Sequence, residues 1–119
     1  MELVDEVAAW LLAPARTDPE TADQVEAAID VLAEEGPSLG RPLVDRVKGS
    51  AVHNMKELRP GSSGATEMRI LFVFDPVRRA VLLVAGDKSG DWRGWYRKAV
   101  LLAEKRYAEH LATTKDEEG

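Results

Sequence analysis

The sequence predicts an α+β fold, with an N-terminal helical hairpin packed on a mainly antiparallel sheet of three to four strands and a C-terminal helix. Three observations predict it. Two stretches of helical period come before anything strand-like. Two apolar runs, Met68–Phe74 and Ala80–Ala85, then flank the turn segment Asp75-Pro76-Val77-Arg78. A last stretch of helical period follows Lys88. Strands grouped between helices, not alternating with them, make an antiparallel sheet with segregated helices.

In the first helix, Leu3, Val7 and Leu11, with Val4, Ala8 and Leu12, fall at helical spacing until Pro14 ends it. Asp18-Pro19 reads as an N-cap followed by proline at the first helical position. Val25, Ile29 and Leu32 make the apolar stripe of the second helix, and Gly36-Pro37 stops it. Residues 37–50 read as a surface connection with a short extended piece around Leu43–Val47. Residues 52–59, VHNMKELR, read as a strand, and Pro60-Gly61-Ser62-Ser63-Gly64 as a turn. The two runs of the central hairpin are rich in Ile, Val, Leu and Phe without clean alternation, so both faces of these strands are covered. Ser89 or Asp91 caps a helix with the stripe Val100, Ala103, Tyr107 and Leu111. The polar tail Thr113–Gly119 is expected to fray. The 119 residues make one domain, with no repeat and no linker.

The chain has no cysteine, which excludes disulfides, thiolate metal sites and a cysteine nucleophile and fits a reducing cytoplasm. No run approaches the roughly 18 apolar residues of a membrane span. Two histidines offer little for a metal centre, and neither a metal nor another cofactor is expected. The net charge of −5 argues against non-specific nucleic-acid binding, but the distribution is uneven. Residues 1–40 carry ten acidic side chains and one basic, whereas residues 41–111 carry fourteen basic and eight acidic.

A hairpin brings the start of its first strand beside the end of its second, so Arg69 and Lys88 share one end of the sheet. The preceding strand delivers Arg59 to the same end. The candidate set is Lys56, Arg59, Arg69, Lys88, Arg93, Tyr96 and Arg97, with His53 nearby in sequence. Arginine grips phosphate bidentately and lysine acts as a point charge. In RNA the 2′-hydroxyl is a nucleophile beside the scissile phosphate. A protein need only take its proton, stabilise the phosphorane and protonate the leaving oxygen. A lysine crowded by arginines serves as base, and Tyr96 orients substrate or stacks on a base.

Plainer roles compete. Arg59 and Arg69 pair with Glu57 and Glu67, and Lys88 is a strand-end charge. Trp92, Trp95 and Tyr96 belong to a core or a partner surface, and His53 is structural. Asp87 and Asp91 form an acid–base pair or are solvated turn carboxylates. Strict pleating also puts Lys56 and Arg59 on opposite faces. Gly86–Gly90 lacks the spacing of a phosphate loop.

Residues 48–100 resemble the RelE/ParE toxin superfamily, and most of all its HigB-like branch, which includes phage-derived toxin-like proteins. The resemblance rests on Lys56-Glu57-Leu58-Arg59, Met68-Arg69-Ile70-Leu71-Phe72, the strand Leu82-Leu83-Val84-Ala85-Gly86-Asp87-Lys88 and the aromatic, basic helix entry after it, taken together in order. It implies a RelE-like fold and the toxin of a type II toxin–antitoxin pair. Such a toxin is a ribosome-dependent endoribonuclease that cuts mRNA in the ribosomal A site. Its partner is a helix-turn-helix antitoxin, and operator DNA is met only through their complex. By motif, Arg59 and Arg69 contact phosphate, Lys88 is the lysine ending the last strand, and Tyr96 joins the catalytic set. Lys56, Arg93, Arg97 and His53 bind RNA.

Two departures stand out. Such toxins usually begin with a strand, and here the helical pattern starts almost at Met1, so that strand is expected to be missing and an edge left open. Ribosome-directed members are also basic overall. A ParE-like toxin acting on a protein such as DNA gyrase, or a non-catalytic antitoxin-binding module, are the alternative readings.

Overall fold

The central hairpin of the sequence is also the centre of the sheet. A computed structural model of the chain describes residues 1–12, 19–52, 54–60 and 67–118. The described elements are β1 (Glu2–Leu3), α1 (Asp5–Leu12), α2 (Pro19–Glu35), β2 (Val44–Arg46), β3 (Lys56–Leu58), β4 (Met68–Phe74), β5 (Ala80–Asp87) and α3 (Trp92–Glu118), with a 3₁₀ turn at Gly36–Ser38. The sheet order is β1-β5-β4-β3-β2. All neighbours are antiparallel except β1, which runs parallel to β5. His53, the Pro14 stop, the Asp18 cap and the turn at Gly61–Gly64 lie outside the described residues.

The α+β architecture stands as expected, with three corrections. The sheet has five strands. The first strand is present: Glu2 and Leu3 pair with Val81 and Leu82 and cover the β5 edge. Two residues carry no readable period, so the sequence shows only the helix that follows. The third strand is shorter than 52–59, because Val47 closes back onto the Met55 carbonyl at 2.9 Å and Asn54 adopts a positive φ of 69°. The backbone of α3 is helical from Trp92 to Glu118.

Each helix end follows from its residues. Asp5 and Glu6 sit in the first turn of α1, where the helix dipole favours acids. Gly36, at φ 60°, takes the left-handed turn that ends α2. Asp91, not Ser89, caps α3: its Oδ1 accepts from the Gly94 amide at 3.1 Å.

The sheet divides two cores. On one face, Val7 of α1 and Val25, Ala28 and Leu32 of α2 pack on Leu58, Ile70, Phe72 and Leu82. On the other, Ala99 and Ala103 of α3 pack on Met55, Leu71, Val73, Val81, Leu83 and Val84. Leu83 and Val84 face the same way because the pairing shifts there: Leu71 opposes Val84 while Phe72 opposes Leu82. This is a β-bulge, which re-aims every residue beyond it. The bulge carbonyl of Leu83 accepts from Arg106 of α3 at 2.7 Å.

Candidate functional site

Strand parity decides which side chains meet. On β4, Leu71 and Val73 face α3, so Arg69, two residues before Leu71, does too. On β3, Glu57 opposes Leu71 and Leu58 opposes Ile70. One step further, Arg59 comes level with Arg69. On β5, the bulge carries Gly86 and Lys88 round to the α3 side. Gly86 opposes Arg69. A Cβ there would lie 2.6 Å from the Trp95 Nε1, so glycine is what lets the indole rest on the strand. Tyr96 follows, with its ring centroid 5.0 Å from that of Trp95.

The centre of this arrangement is a carboxylate. Glu57 is 4% exposed, yet it carries a charged side chain inside the layer between β3 and α3. It accepts from the Tyr96 hydroxyl and from Arg59, whose Nε lies at 2.9 Å and whose terminal nitrogen lies at 2.8 Å. The same guanidinium reaches Asp45 of β2 at 3.1 Å. Asp45 and Glu57 are direct cross-strand neighbours. Two like charges so placed repel, and Arg59 between them turns the repulsion into a bridge. Burial works against the Arg59 charge, but Glu57 and Asp45 outweigh it and hold its pKa above the usual value.

Burial, then the hydrogen bond to Glu57 and its charge, push the Tyr96 phenol up to about 12, while nearby Arg69 pulls the other way. Arg69 donates to the Met68 carbonyl at 2.7 Å. Its Nε is buried without a hydrogen-bond partner. The Lys88 ammonium lies 5.6 Å from the centre of the Tyr96 ring.

Arg59, Arg69, Lys88 and Tyr96 are therefore brought together as the sequence led one to expect. Lys56 is not. It opposes Phe72 on the α1–α2 face and its ammonium lies 5.5 Å from the Phe74 ring centre. The pleat that turns Arg59 toward α3 turns Lys56 away. Arg93 stands 5.1 Å over the Trp92 ring, and Arg97 lies one helical turn beyond. His53 falls outside the described residues. Asp87 takes the Glu67 and Ser89 amides and Asp91 caps α3, so both are turn carboxylates. Among the described residues, no cluster of His, Asp and Glu has the geometry of a metal site, and no helix is long and apolar enough to cross a membrane.

Sequence reasoning treated Glu57 only as a mate for Arg59. The signal for its larger role was Met55, Glu57 and Arg59 at period two, which puts an acid on a covered face between an apolar residue and a cation. Two contiguous grooves open here. One, of about 340 Å³, is lined by Asp45, Glu57, Arg59, Lys48, Trp92 and Tyr96 among others. The second, of about 470 Å³, shares Lys48, Trp92 and Tyr96 with it and continues along α3 past Arg93, Arg97 and Leu101.

Residues 15–108 match the family described as phage-derived protein Gp49-like. A Mycobacterium tuberculosis protein provisionally named toxin HigB2 is 54% identical over 113 residues, which are 95% of this chain and 55% of that protein. A second, provisionally named toxin HigB3, is 47% identical over 111 residues, 93% of this chain and 92% of that protein. The chain thus spans little more than half the length of the first relative and nearly all of the second. No solved structure gives a significant match.

Proposed function

The chain belongs to the phage-derived Gp49-like family of HigB-like toxins, and on that premise we propose that it is the toxin of a type II toxin–antitoxin pair that cleaves mRNA on the ribosome. The observation that carries this reading is the buried Glu57, tied to Tyr96 and Arg59 beside the cations Arg69 and Lys88.

The chemistry follows from what each group has left to offer. Tyr96 commits its hydrogen to Glu57, so its oxygen keeps only acceptor capacity, with Arg69 close by. It is suited to accept the proton of an RNA 2′-hydroxyl while passing its own to Glu57. With a pKa near 12 the phenol stays protonated at neutral pH, and no phenolate has to form. The freed 2′-oxygen attacks the adjacent phosphorus, and the bond to the 5′-oxygen breaks as the Lys88 ammonium beside Tyr96 gives the departing oxygen a proton. Arg69, with an unused buried N–H, and Lys88 supply the positive charge that the phosphorane needs. Arg59, held by two carboxylates, fixes Glu57 and lines the groove.

The partners follow from the same reading. A separately encoded helix-turn-helix antitoxin silences the toxin, operator DNA is met only through their complex, and the ribosome in the cytoplasm presents the mRNA.

The test is to add the protein to a reconstituted translation system and map transcript ends. Cleavage that requires ribosomes and disappears with Arg69→Ala is expected. Intact transcripts from a protein that still arrests growth would overturn the reading, and inhibited DNA supercoiling would move it to the gyrase class.

A further inference from the structure

We infer that the groove along α3 is a second nucleotide subsite, taking the base next to the scissile phosphate against Trp92 and its phosphate against Lys48, Arg93 and Arg97. This rests on the nuclease reading above and extends it to substrate residues beyond the reacting pair.

Three features carry it. The first is continuity. The groove shares Lys48, Trp92 and Tyr96 with the one that holds Glu57 and Arg59, so a strand whose phosphate lies at Tyr96 runs on into it. The second is Trp92 itself. It is 55% exposed, although its neighbours Trp95 and Tyr96 are turned inward, and it stands edge-on to Tyr96 at 6.5 Å between ring centres. An indole left in water beside a cationic groove is a stacking platform for any base. The third is charge. Lys48, Arg93 and Arg97 contribute three cations to the lining, and the Arg93 guanidinium already lies 5.1 Å from the Trp92 ring centre. The one carboxylate in that lining, Glu104, is turned to the Ser50 hydroxyl at 2.8 Å and the Ala51 amide at 2.6 Å. The groove therefore presents cations and aromatic surface with its acid already engaged, which fits a single-stranded polyanion carrying flat bases.

An acidic helical peptide is the competing occupant. It would use the same cations, but nothing in its chemistry requires the groove to be continuous with the Tyr96 site. RNA requires that continuity.

The test uses the full chain and uncleavable 2′-O-methyl RNA, followed by the indole N–H resonances in NMR, which report weak binding. The Trp92 resonance is assigned by its loss in Trp92→Ala. A tetranucleotide is expected to shift it, and Trp92→Ala to weaken tetranucleotide binding by about tenfold, the scale of one stacked base. Trp92→Phe should recover most of that loss. A dinucleotide, which fills only the Tyr96 groove, meets Trp92 at one wall of it and should lose clearly less affinity in Trp92→Ala than the tetranucleotide. Equal tetranucleotide affinity in the two forms would overturn the subsite while leaving the nuclease reading in place. So would an equal loss for both lengths, since Trp92 would then act through Tyr96. Unchanged RNA affinity with Trp92-dependent binding of a glutamate-rich helical peptide would reassign the groove to a protein partner. Wild type that binds neither length and cleaves no transcript would end both proposals together.

Discussion

The Tyr96 hydroxyl donates to the Glu57 carboxylate across the layer between α3 and β3, and the carboxylate is the more enclosed of the two. The buried acid is flanked there by a phenol on one side and a guanidinium on the other. Its replacement separates charge from shape. In Glu57→Gln the Tyr96 pKa should fall only part of the way from about 12 toward 10, because burial, the largest cause, remains while the Glu57 charge is gone. A near-ultraviolet pH titration in a Tyr107→Phe background reads this directly. Stability should fall by about 1–2 kcal/mol, less than for a fully enclosed pair, because Arg59 is over a third exposed and keeps Asp45. Transcript cleavage should fall at least about a hundredfold, within the range of a lost general base.

Arg69 should trade activity for stability. Its Nε is buried with no partner, a cost carried by the folded state. Arg69→Met keeps the stem and removes the orphan donor. It should abolish cleavage while leaving the urea midpoint unchanged or raised. Lys88→Ala should also abolish cleavage, with stability changed by no more than about 0.5 kcal/mol. Equal losses of folding and activity in either variant would contradict the assignment.

Gly86→Ala should disturb the site from below. The added methyl would sit 2.6 Å from the Trp95 Nε1, and a packed indole cannot swing aside as a lysine would. Forcing that ring up should cost about 1–3 kcal/mol and move Tyr96, its neighbour in the chain. Thermal unfolding should show the loss, and cleavage should fall further than stability alone explains.

Arg106 should act at a distance. Its guanidinium satisfies the Leu83 carbonyl at the bulge. Arg106→Met removes that hydrogen bond, at a cost of about 0.5–1.5 kcal/mol. The bulge sets the facing of Lys88, so cleavage should drop although Arg106 lies more than two helical turns past Tyr96. Chemical denaturation and transcript mapping on one sample separate the two effects.

The far end of the sheet should contribute to acid stability. Burial tends to raise the Asp75 pKa, but the Arg79 amide, His110 and the Arg79 guanidinium outweigh it and hold it below 3.8. A carboxyl depressed on folding adds stability that is fully present above its unfolded pKa and lost as pH falls through the folded one. Stability should therefore decline below about pH 4, and Asp75→Asn should flatten that decline in acid titrations of unfolding.

The fold and half of the site were legible because they rest on pairing arithmetic. Once Met68–Phe74 and Ala80–Ala85 form a hairpin, Arg69 and the residues after Ala85 must lie at one end. What was not legible is which face they take. The bulge sits in Val81-Leu82-Leu83-Val84, where every residue is apolar and a one-residue slip leaves no mark in the pattern. Lys56 joined the set by proximity to Arg59, although the period of two already opposed their faces, and the structure follows the pleat. β1 escaped notice because a two-residue strand is defined by its partner Val81-Leu82, not by its own residues.

The acidic α2 packs on the face of the sheet opposite Tyr96, so on the proposed nuclease reading an overall charge of −5 does not exclude a polyanionic target. Its charge is divided, with the acids of α2 on one side and Lys48, Arg93 and Arg97 on the other. Near a phosphate-rich surface its rear is repelled while its front is drawn in, so the field supplies a torque before any contact forms. The acidic helices then work as a rudder, and neutralising them would slow productive encounters even as the total charge became more favourable.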